Sequence, residues 1–197
     1  MTRYPRLGLP LPLELVNTLF AQSGHLRDAL QTPVDLDVWL HANAAQPPRP
    51  VPAATATELQ RVRALRYALR QLFRALSEGA TPPAAALQVV NDFSAAAPQV
   101  ARLDWFDGAP HLTMVDVSER DASAVTMLAR AAIQLLAGPD QTRIRACGAP
   151  GCLLFFLREQ RRREWCSAAC GNRARVARHY HRHRAPAHRE ARTVVHR

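Results

Sequence analysis

The chain has 197 residues, 48% of them apolar, enough for one ordinary domain with a full core and a small appended module. Its longest run of large apolar residues, Leu153–Leu157, is too short to cross a membrane, and prolines and Glu14 interrupt the N-terminal stretch where a secretory leader would need an unbroken apolar segment, so a cytoplasmic location is expected. All 26 basic residues are arginine; residues 1–142 carry 12 Arg against 13 Asp and Glu, a net −1, whereas residues 143–197 carry 14 Arg against 3 Glu, a net +11.

Residues 13–20, LELVNTLF, predict a short helix, with Leu13, Val16 and Phe20 at helical spacing. Thr32 is placed to cap a helix opening at Pro33, Asp35 completes a shortened capping box, and Leu36, Trp39 and Leu40 supply the buried side. Residues 45–54 read as a proline-rich surface connector. Thr57 can cap the longest helix, in which Val62, Leu65, Leu69, Leu72, Phe73 and Leu76 mark one face and Gly79 ends it. Another helix opens at Thr81–Pro82 and runs through Leu87, Val90 and Phe93. Over residues 100–117 the pattern changes from helical to alternating, and Asp107–Gly108 marks the turn of a β-hairpin. Ser118 or Asp121 then caps a long helix that ends at Gly138–Pro139.

All four cysteines, Cys147, Cys152, Cys166 and Cys170, lie near the basic C-terminus in the spacing C-x4-C, 13 residues, C-x3-C. Two close pairs joined by a short insert suit one tetrahedral metal ion, each pair supplying two corners. Zinc held by four thiolates has no open coordination position, so the site is structural. Disulfides are the main competing reading, disfavoured by the expected compartment, and an iron–sulfur cluster is a minor one that colour would reveal. Gly148, Pro150 and Gly151 let the backbone curl around the metal, LLFFL reads as a strand covering the site, REWC as the returning strand, and Ser167 as the cap of a helix carrying Cys170 in its first turn. The expected fold class is mainly α with a small β-hairpin, comprising a helical domain over residues 1–142 and a treble-clef-like zinc module over 143–197.

Residues 165–184, WCSAACGNRARVARHYHRHR, resemble the CGNR-type zinc finger, whose motif stands here as Cys170, Gly171, Asn172 and Arg173. Upstream, ELVNTLF and LRDALQTPVDLDVWL resemble the ABATE domain usually found with that finger. The resemblance implies a bacterial stress-induced transcription regulator whose finger binds DNA. The chain departs from the common pattern between the cysteine pairs, where LLFFLREQRRREW is short and lacks the usual Asp and Ser.

An arginine-rich module also points independently to a polyanion, most often nucleic acid. Arg161, Arg162 and Arg163 are expected at a hairpin tip, and Arg173, Arg175, Arg178 and Arg182 along the last helix, with Arg173 and Arg178 central to any contact. Asn172 either braces the zinc knuckle or reads adenine. His179, His181 and His183 alternate, so they do not share a helix face and read as a solvated tail rather than a second metal site. Asn17, Arg66 and Arg70 are candidates for a small anionic effector; the competing reading satisfies them within the fold. A homodimer remains open, since a two-fold operator would need one. The alternative function is a zinc-scaffolded RNA- or protein-interaction adaptor. No nucleophile set, phosphate loop or open metal site is legible, so no enzyme is expected.

Overall fold

Helices and three two-stranded antiparallel sheets build the computed structural model, which describes residues 4–43, 53–117 and 123–183. Helix α1 (Leu11–Asn17) opens behind Pro10, with Pro12 in its first turn where no intrahelical N–H is needed. The Glu14 carboxylate accepts the N–H groups of Leu7 and Leu9, both at 2.9 Å, and so folds the preceding segment onto the helix.

The helix expected over 13–20 ends early. Thr18 donates its hydroxyl to Leu15 O at 2.6 Å, and the chain leaves as β1 (Leu19–Gln22), which pairs with β2 (His25–Asp28). Ser23 and Gly24 turn between them with φ of 51° and 78°, the left-handed pair that matches strand twist in a two-residue hairpin. Leu19 and Phe20 fit a helical or an extended pattern equally; the Ser–Gly turn decides.

Helix α2 (Pro33–Asn43) has the expected reciprocal cap. Thr32 Oγ1 accepts from the Asp35 N–H at 3.2 Å, and Asp35 Oδ2 accepts from the Thr32 N–H at 2.9 Å. Helix α3 (Ala56–Glu78) is capped by Thr55, not Thr57, through Thr55 Oγ1 and the Glu58 N–H, and it stops at Gly79 with φ 67°. Helix α4 (Ala84–Ala95) starts behind Pro83. Strands β3 (Gln99–Phe106) and β4 (Ala109–Asp116) form the expected hairpin about Asp107–Gly108. Helix α5 (Ala124–Ala137) is capped by Ser123; Ser118, Asp121 and most of the proline-rich connector lie outside the described residues. Glu58 Oε1 accepts the Val125 N–H at 2.9 Å and ties the starts of α3 and α5 together. A 3-10 turn (Pro139–Arg143) leads into β5 (Ile144–Ala146), which pairs with β6 (Phe155–Leu157), and α6 (Ala168–His183) follows.

Helices α1, α3 and α5 pack on one another, and the β5–β6 hairpin closes the same core, β5 against α3 and β6 against α1. Leu13, Leu65, Leu69, Phe73 and Leu128 therefore share one apolar cluster with Ile144, Phe155, Phe156 and Cys166. The Phe73 and Phe155 rings meet at 5.9 Å, tilted by 60°. The core thus runs across residue 142, where composition changes abruptly.

Candidate metal centre

Backbone geometry gathers the four thiols. Cys147 follows β5 and donates its N–H to Leu154 O at 2.9 Å. The chain then curls at Gly151, φ 70°, with the Cys152 N–H on Ala149 O at 3.0 Å. The Gly148 N–H donates to Glu164 O at 3.2 Å, joining this knuckle to the segment that delivers Cys166. Ser167 Oγ accepts the Cys170 N–H at 3.3 Å, which sets Cys170 in the first turn of α6. The segment 163–166 is irregular: the strand that pairs with β6 comes from upstream, as β5, and not from the expected REWC.

The four sulfurs lie within 4.8 Å of one another. Cys152 and Cys166 are 3.8 Å apart, Cys166 and Cys170 3.5 Å, and Cys170 and Cys152 3.8 Å. A tetrahedron with metal–sulfur bonds of about 2.3 Å has edges of about 3.8 Å. The thiols also oppose each other's ionisation. Hydrogen bonds from Cys152 and Cys166 hold the Cys147 thiol far below its ordinary range. The same contact with Cys147 pushes Cys152 up to about 11, and Cys147 and Cys152 together push Cys166 up. One thiolate is stable among these neighbours, but four require a cation. The all-sulfur donor set, three of its members buried, fits one structural zinc ion.

Arginines expected on nucleic acid brace this site. Arg163 lies 5.0 Å over the Phe156 ring and donates to Trp165 O at 3.1 Å and Cys166 O at 2.9 Å. Arg173 donates to Cys170 Sγ at 3.2 Å, bringing positive charge to a thiolate cluster that remains negative with zinc bound. Arg178 lies 5.6 Å over Trp165. A Cβ on Gly171 would stand 3.2 Å from Trp165 Cε3, so the glycine admits the indole against the helix.

One family model, described as "putative stress-induced transcription regulator" and named ABATE, matches residues 9–139, and a second, the CGNR zinc finger, matches residues 143–183. The chain belongs to the ABATE family. No curated protein matches its sequence. In this ABATE protein the matched finger contains all four clustered cysteines, so the family and the sulfur geometry agree on zinc.

The other candidate residues separate cleanly. Arg161 and Arg162 are exposed in the turn that precedes Arg163. Arg175 and Arg182 are exposed on α6 and share a face with Asn172 and His179 at three- and four-residue steps. Asn172 does not brace the knuckle: it is exposed, and among the described residues its side chain has no hydrogen-bond partner. The side chains of His181 and His183 lie outside the described residues.

The three residues considered for an effector are bonded within the fold. Asn17, 0% exposed, donates to Phe155 O at 2.9 Å and accepts from Phe155 N at 2.8 Å. Arg66, equally buried, holds both carboxylate oxygens of Asp28, at 2.7 and 2.6 Å, and the Thr18 hydroxyl at 2.9 Å, with its Nε left without a partner. Burial would raise the Asp28 pKa, but the Arg66 bonds and the Leu30 N–H bring it below the ordinary carboxylate value. Arg70 donates to Val16 O at 2.8 Å and Leu153 O at 3.0 Å, and lies 5.2 Å from the Phe155 ring centroid. Burial first, and then Arg66 and Arg74, push Arg70 down to about 10. Asn17 and Arg70, with Ser77 Oγ accepting the Ala146 N–H at 2.9 Å, bolt the finger to the helices, whereas Arg66 ties α3 to β2. Local spacing could not reveal this, because Asn17 and Phe155 are 138 residues apart.

Proposed function

We propose that this ABATE protein is a transcription regulator that binds duplex DNA through a treble-clef-like finger. The observation that carries the reading is the exposed arginine set Arg161, Arg162, Arg175 and Arg182, offered by a turn and a helix that flank one thiolate cluster. Helix α6 contains no acidic residue, so nothing along it neutralises these guanidinium groups. Each planar fork can grip a phosphate in two places, and the Asn172 amide on the same face has the donor and acceptor that adenine presents a match for in the major groove. Arg163, Arg173 and Arg178 also fix the knuckle and Trp165, and of these Arg173 and Arg178 are exposed on α6 like Arg175 and so remain open to phosphate. Bound zinc supplies structural cross-linking; the contacts with DNA belong to the side chains. We assign the chain no catalytic role.

Fluorescence anisotropy with duplex DNA tests the reading. Four phosphate contacts give a log–log salt slope of roughly −3 to −4, and Arg175→Ala with Arg182→Ala flattens it by roughly 2. Salt-independent binding contradicts the proposal. Tyr180 is 65% exposed on α6 and offers a stacking surface, so tighter binding to single-stranded RNA than to duplex DNA would favour an RNA adaptor instead.

A further inference from the structure

The β3–β4 hairpin carries its apolar side outward. Directly paired residues share a face, and the register places Ala101 with Met114, Leu103 with Leu112, and Trp105 with Pro110 on one of them. All six are exposed: Leu103 by 71%, Trp105 by 69%, Leu112 by 73% and Met114 by 51%. The opposite face is mixed: it carries the charged and polar groups of the described hairpin together with Val100 and Phe106, each about half exposed. Arg102 and Asp104 form an ion pair at 3.0 Å, and His111 stacks on Phe106 with ring centroids 3.7 Å apart. Asp104, His111, Thr113 and Val115 on that face are partly covered. An ordinary amphipathic hairpin does the reverse. The Asp107–Gly108 turn fixes the register, and exchanging the faces would require a one-residue slip.

We propose that this face is a homodimer interface, covered in solution by the same face of a second copy. The two strands pack chiefly on each other, which leaves the outward side open. Across these three pairs the face bears no charge and, apart from the Trp105 indole N–H near the turn, no side-chain hydrogen-bonding group, so an identical apolar patch matches it; the Gln99–Asp116 pair continues the same register at the open end of the ladder. Two such hairpins stack as a four-stranded sandwich with sheets about 10 Å apart, related by a two-fold axis. The four large side chains alone offer on the order of 500 Å² per copy, and a pair about 1,000 Å², the area at which a specific interface begins. The hairpin also belongs to the stretch of net charge −1, whereas the positive charge that would separate two copies is concentrated after residue 142. The inference rests on the hairpin and is independent of the DNA reading.

Sedimentation velocity of the full-length, zinc-loaded chain from about 1 to 100 µM tests it, a range wide enough to reveal association through an interface at the small end of the specific class. The wild type is expected to shift with concentration toward twice the 21.9 kDa chain mass. Leu103→Glu and Leu112→Glu, each checked for unchanged zinc content and circular dichroism, are expected to remain monomeric, while Arg102→Ser on the other face still dimerises. A wild type that is monomeric throughout overturns the proposal, as does a dimer that survives both glutamate variants. A monomer that floats with phosphatidylcholine vesicles, and loses that property in Leu103→Glu, overturns it in favour of a lipid surface.

Discussion

Replacing Asn17 by Ala removes the amide that joins α1 to the finger. Asn17 meets both backbone groups of Phe155, at 2.9 and 2.8 Å, and Phe155 is 1% exposed. Strand β5 cannot replace those bonds. The cross-strand bonds flanking this residue run from the Cys147 N–H to Leu154 O and from the Arg158 N–H to Arg143 O, and backbone groups alternate sides along a strand. The N–H and C=O of Phe155 are therefore left buried without partners, each at about 1–3 kcal/mol, or about 2–6 kcal/mol together. At about 2–4 °C per kcal/mol for a chain of this size, differential scanning calorimetry should record a Tm lower by about 4–24 °C. Zinc should also leave faster into a chelator, because Asn17 holds the strand that follows Cys152. A Tm within 1–2 °C of wild type, with unchanged zinc release, would refute the claim that this amide couples the two parts, since it leaves less than about 1 kcal/mol for both bonds.

Other outcomes follow from neighbouring contacts. Asp28→Asn should cost about 3–5 kcal/mol near neutral pH, because it strips the buried Arg66 guanidinium of its counter-charge. The Asp28 pKa is depressed on folding, so its stabilisation is present above the ordinary value of 3.8 and is lost as pH falls through the lower folded value. The stability gap between wild type and Asp28→Asn, measured by urea unfolding, should thus narrow in acid; a gap independent of pH contradicts the ion pair. Gly171→Val should cost about 1–3 kcal/mol by driving a branched side chain into Trp165, which near-ultraviolet circular dichroism of the indole would register. Arg163→Ala should lower Tm and speed zinc loss, whereas Arg175→Ala should leave both unchanged and weaken DNA binding; equal thermal effects would erase the distinction between bracing and exposed arginines.

Much of the architecture was legible from local signals. Thr32 and Asp35 announced α2, Gly79 the end of α3, and Asp107–Gly108 the larger hairpin, because caps and turns are decided by a few adjacent residues. The smaller hairpin was missed where Leu19 and Phe20 suit two periods and only Ser23–Gly24 separates them. The four ligands were legible in their spacing. Their setting was not: Arg163 turns inward to carbonyls two and three residues on, and Trp165 fits beneath Arg178 because Gly171 lacks a side chain. The dependence of the finger on Asn17, Arg70 and Ser77 arises from long-range packing, and no window of adjacent residues contains it.

The most direct test of the central claim is metal analysis of the freshly purified chain together with thiol titration. The account predicts a colourless protein with one zinc per chain, and four thiols that react only after the metal is removed. A metal-free folded chain, whether its thiols are freely reactive or joined as disulfides, would contradict it.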